Sequence, residues 1–157
     1  MGWNDFRQRQ HAIATVLDNA RRDPSGALDE VPAPFTDTTE LLRALQCKWT
    51  QQLIGRIEVA LAETADAAHG DRIQAVTEAW RRTAAANPEL RELLDRHQAD
   101  PALRSAVARE HRMLALATGL AEHDEPESEV ARVGQAFLQL VRATPSKPRR
   151  PRLLSLR

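Results

Sequence analysis

Tyrosine is missing from this 157-residue sequence, and aromatic residues of any kind are scarce, with three Trp and three Phe. The core must therefore be aliphatic, built on Leu, Val, Ile and Ala. One cysteine, Cys47, excludes an internal disulfide and supplies no zinc-finger spacing. No apolar run approaches the roughly 20 residues that a membrane span needs. The opening MGWNDFRQRQ lacks the apolar region of a secretory signal, so a cytoplasmic location is the default reading. Glycine is sparse, and no Gly-rich phosphate loop, GxSxG elbow or HExxH zinc motif is present. Few serines occur, and no pair of acids stands in an obvious catalytic setting. The sequence thus points to no enzyme, no catalytic residue, no metal and no cofactor.

What is abundant is alanine, arginine and leucine, and runs of β-branched residues are absent, which favours helix throughout. One domain's worth of chain can bury roughly two thirds of its unfolded surface without a staple. Basic and acidic residues balance at 22 each, but unevenly. Lys147, Arg149, Arg150, Arg152 and Arg157 fall in the last fourteen residues with no acid among them, leaving the rest with a net charge of −5. An acidic body with a basic tail is not a broad nucleic-acid surface.

The hydrophobic pattern reads as an all-α domain of about six helices around a long central helix, residues 39–63, within a single domain spanning 1–143. Phe6, Ile13, Val16, Leu17 and Ala20 recur at helical spacing over 3–22. A proline-containing segment, 23–36, follows as an ordered loop that Leu28, Val31 and Phe35 can pin to the core. Asp37 can cap the central helix, with Glu40 three residues on. Leu42, Leu45, Trp49, Leu53 and Ala60 share one stripe, with Ile57 at its edge, and Cys47, Ile54 and Leu61 line nearly the opposite side. Cys47 is therefore expected to be a buried structural cysteine. A break at Ala67–Gly70 precedes a third helix, about 71–86, with Ile73, Val76, Trp80 and Ala84 inward. Asn87-Pro88, Asp100-Pro101 and Glu125-Pro126 each look like a helix start. They open a short helix with Leu90, Leu93 and Leu94, a helix to about Glu122, and a last helix to about Ala143. The Pro-rich remainder, 144–157, cannot continue a helix and is expected to be disordered. It could contact an anionic partner.

Two charges interrupt apolar stripes. Arg56 lies about 20° from the Trp49 stripe at 100° per residue. Glu110 lies between Val107 and Leu114. A charge buried alone is costly, so the two could face one interior cavity, pairing or orienting a ligand, or reach solvent from stripe edges. The pocket reading places Trp49, Leu53, Arg56, Trp80, Glu110 and Leu114 around an apolar or amphipathic small molecule, between the central, third and fifth helices.

The fifth and sixth helices each present a second apolar face. Met113, Leu116, Leu120, Gly134 and Leu138 would form the interface of a symmetric homodimer, with Gly119 and Gly134 allowing close helix approach.

From Phe35 onward the chain resembles the regulatory region of tetracycline-repressor-type (TetR-like) transcription regulators. Phe35–Leu42, FTDTTELL, looks like the junction where the recognition helix gives way to the long connecting helix. Ala79–Leu94, AWRRTAAANPELRELL, looks like the middle helices, and the closing pair is similar to the dimerisation helices. The resemblance implies a TetR C-terminal-domain-like bundle that binds an effector. It does not extend to the DNA reader, since 23–34 carries three prolines and cannot hold the two helices of a helix-turn-helix. Specific DNA binding is therefore not expected. The expected function is a dimeric, non-enzymatic ligand-binding module, with a protein-interaction adaptor, using the dimer face and the basic tail, as the alternative.

Overall fold

A computed structural model describes residues 2–65 and 69–146. These form six α-helices and one 3-10 turn: α1 (Trp3–Arg22), α2 (Thr38–Glu63), α3 (His69–Ala86), α4 (Pro88–Arg96), the turn Pro101–Leu103, α5 (Arg104–Thr118) and α6 (Glu127–Ala143). No strand occurs among the described residues, and no helix there is long and apolar enough to cross a membrane. The expected break at 67–70 and the basic tail fall largely on residues outside the described range, although His69 and Gly70 already belong to α3.

The α2 helix is the organising element. It packs against α1, α3, α4, the 3-10 turn and α5. Leu41, Leu42, Leu45, Trp49 and Leu53 are fully sealed, and Ile57 is buried. This is the Trp49 stripe that the 3.6-residue period defines. The helix starts at Asp37, whose carboxylate accepts the Glu40 backbone N–H at 2.8 Å. Glu40 does not return the bond to Asp37. It accepts instead from the backbone and hydroxyl of Thr36, each at 3.0 Å, and pairs with Arg9 of α1 at 3.1 Å. Arg9 also lies over the Phe35 ring at 4.7 Å. The cap thus ties three consecutive segments together. Ala27, Leu28 and Phe35 are buried and Val31 packs beside them, so the 23–36 loop is pinned as the sequence implies.

Several boundaries differ from expectation. Asn87 occupies the N-cap position of α4, but its amide reaches back to the Thr83 carbonyl at 2.9 Å and makes no cap bond. The helix opened by Asp100-Pro101 begins as a 3-10 turn, with the Asp100 carboxylate accepting from the Ala102 N–H at 2.8 Å. It ends at Thr118 rather than near Glu122, because Gly119 adopts φ 73°, a left-handed conformation that terminates helices.

The sharpest constraint on α5 and α6 is at Gly134. A β-carbon added there would fall inside the His111 backbone carbonyl, so only glycine lets the two helices approach this closely. Two arginines of α3 then secure the pair. Arg72 donates to the Ala117 carbonyl at 3.0 Å, and Arg81 donates to the carbonyls of Val141 and Thr144. Each guanidinium meets orphan carbonyls at a helix C-terminus, where a cation is favoured.

Candidate functional site

Glu110 is the one buried acid among the described residues, only 4% exposed. Its place follows from the α5 period, which puts position 110 on the same face as Leu103 and Leu114. The Trp49 indole N–H donates to its Oε1 at 2.6 Å, and the Gln46 amide donates to the same oxygen at 3.4 Å. No Lys, Arg or His forms an ion pair with it among the described residues. Burial pushes its pKa above the ordinary carboxyl value, and Arg91 and the two hydrogen bonds only partly oppose that.

A charged layer surrounds this centre. The Arg91 guanidinium lies over the Trp49 ring, 4.4 Å from its centroid, so Trp49 meets a cation on its face and a carboxyl at its edge. Arg91 pairs with Asp95 at 2.9 Å, and Arg142 grips Asp95 with two nitrogens at 2.8 and 3.1 Å. Partial burial pushes the Asp95 carboxyl up, but the two arginines overcome it and hold the group below its ordinary value. Arg142 also stacks on Trp80, 5.0 Å away, and Trp80 meets Trp49 edge-on at 5.8 Å.

Glu110 and Gln46 form the floor of a groove of about 590 Å³ between α2 and the start of α5. Cys47 and Ile54 on one side and Ala102, Ala106 and Met113 on the other make its walls, with Arg43 and Arg109 at the rim. Cys47 is exposed here, which corrects the expectation of a buried cysteine. The stripe it shares with Ile54 faces this groove rather than a covering helix, and only Leu61, further along, packs on the core.

The structure brings together five of the six pocket candidates. Trp49, Leu53, Trp80, Glu110 and Leu114 lie in the packed interior, and of these only Glu110 also lines an open groove. Arg56 is exposed and stands apart, in a separate groove of about 880 Å³ between α2 and α3 beside Glu63, Gln74 and Glu78. Of the interface candidates, Gly134 and Leu138 are buried within the chain by the α5–α6 contact. Met113 lines the Glu110 groove, Leu116 is half-buried, and Leu120 is 46% exposed. Periodicity does not single out Gln46, Arg91, Asp95 or Arg142. The i, i+4 spacing of Arg91 and Asp95 on α4 is the only sequence signal for that layer.

No cluster of three or more potential metal ligands occurs among the described residues. Neither protein-family models nor curated proteins nor solved structures give any match to the chain.

Proposed function

We propose that this chain is a non-enzymatic helical module that binds an apolar or amphipathic small molecule in the groove between α2 and α5. The observation that carries the reading is Glu110, a buried carboxyl that forms no ion pair with any described residue, at the base of a mostly apolar cleft. Such a group is costly in the empty protein. A ligand that donates a hydrogen bond to it, while its apolar part covers Ile54 and Met113, offsets that cost. Small-molecule sites commonly have this composition, apolar walls and a few convergent polar groups. The likeness to the effector-binding body of TetR-type regulators, dimeric and without a DNA reader, supports the same reading.

The test is thermal stabilisation by a panel of amphipathic alcohols, amides and amines, run on the wild type and on Ala106→Trp, which fills the groove from its exposed wall. Stabilisation by panel members in the wild type alone supports the site. Equal stabilisation of both proteins, or of neither, rejects it.

An adaptor surface other than the expected dimer face and basic tail has its own support. Trp3 and Phe6 stack at 5.8 Å and remain 69% and 53% exposed, along a groove between α1 and α2. Exposed paired aromatics of this kind suit a protein partner. Replacing both by Ser would abolish partner capture and leave small-molecule stabilisation intact.

A further inference from the structure

Five polar or charged side chains are buried among the described residues: Gln46, Thr83, Glu110, His111 and Thr118. Four of them make hydrogen bonds. His111 is 9% exposed and its side chain makes none with any described residue. Buried polar groups are nearly always partnered, so the exception needs a reason. Among the described residues, the one buried side-chain polar atom that is both sealed and unpaired is Trp80 Nε1. The imidazole nitrogens of His111 are therefore not sealed, and His111 lines a cleft.

That cleft has a volume of about 330 Å³ and lies between the α4–α5 connection and α6. Arg104 and Arg132 line it from opposite sides, with the amides of Gln98 and Gln135 beside them. Both arginines are exposed, and neither has an ion-pair partner among the described residues. The single acid in the lining, Asp100, is engaged in capping through the Ala102 N–H. The α5–α6 approach at Gly134 fixes the backbone of His111 itself, so its ring is carried on a rigid base.

We propose that this cleft is a binding site for a phosphate-type dianion, free or as a small monoester, held by His111, Arg104 and Arg132. Two guanidinium forks match the oxygen geometry of such an anion. A neutral imidazole, one nitrogen donating, adds a third contact from the buried side. Burial and then Arg142 hold the His111 pKa below its ordinary value. A bound dianion opposes both effects and draws a proton onto the ring. The site is separate from the Glu110 groove and stands or falls independently of it.

The experiment is an NMR titration of the histidine ring signals with inorganic phosphate and with ethyl phosphate, at constant ionic strength set by chloride. His111→Gln serves only to assign the resonance. A saturable shift of the His111 signal, with its apparent pKa raised, is the expected result, and the tighter of the two probes identifies the source of the dianion. Arg104→Gln and Arg132→Gln each weaken the titration roughly tenfold, the loss of one charge-assisted contact. Their folds are checked by circular dichroism, since both side chains are exposed. The proposal is overturned if neither probe moves His111 saturably, if all histidines shift alike, or if the double variant Arg104→Gln/Arg132→Gln titrates as the wild type does.

Discussion

The buried carboxyl and the buried imidazole are sequence neighbours with opposite consequences for stability. Glu110 holds its proton to higher pH in the folded state than in the unfolded chain. Its contribution is present below the ordinary carboxyl value and is lost as pH rises through the raised one. His111 is depressed, so the unfolded chain gains its proton first as pH falls through the ordinary imidazole range, and stability falls with it. Urea midpoints of Glu110→Gln, followed from the ordinary carboxyl range up to neutral pH, should therefore rise relative to the wild type. A constant difference would show that Glu110 does not titrate between the two states. Gly134→Ala is a purely steric change, and driving a methyl into the His111 carbonyl should cost about 3 kcal/mol or force α5 and α6 apart. Glu110 was legible in the sequence because position 110 falls inside an apolar stripe. Arg56, 20° from its own stripe, was not separable by angle alone. Its surroundings depend on how far α3 leaves the α2 surface uncovered, and a Cβ at nearby Gly55 would meet nothing within 4 Å. Arg142 carried no signal at all, since its partners Asp95 and Trp80 are set by tertiary packing.

Helix starts were more legible than helix ends. Asp37, Pro88, Pro101 and Pro126 mark starts through local chemistry, whether a side chain accepting an orphan N–H or a residue that cannot donate one. Asp37→Ala should cost about 1 kcal/mol in a denaturant melt, with more lost if the Thr36–Glu40–Arg9 chain is released too. The end of α5 escaped because Leu120 and Ala121 continue the apolar spacing beyond it. Gly119 overrides that spacing with its left-handed conformation, and Arg72 from a distant helix stabilises the carbonyls left behind. Gly119→Ala should lower stability by about 1 kcal/mol, the cost of a β-carbon in that region. Asn87 shows the same principle in reverse: its residue type suits a cap, but the Thr83 carbonyl at the end of α3, which also accepts the Asn87 backbone N–H, competes for its amide and wins.

For the whole molecule, composition and hydrophobic period were enough to give the all-α class, and six helices in the expected order follow among the described residues. What composition could not give was which second faces find a neighbour inside the chain. The α5–α6 pair uses Gly134 and Leu138 internally, leaving Leu120 and Leu140, 46% and 67% exposed, as the apolar residues open to another copy. If the proposed homodimer forms through them, Leu120→Glu/Leu140→Glu should halve the mass seen by light scattering without altering helix content. An unchanged mass would place any dimer elsewhere. The three tryptophans, finally, sit at three different depths, which makes the molecule its own optical instrument. Trp3 is in water, Trp80 has a sealed N–H, and Trp49 shares its N–H with the carboxyl that floors the groove. With Trp3 replaced by Phe, the red-emitting background disappears, and of the two buried emitters that remain, Trp49 reads the polarity and protonation around Glu110 without any added dye.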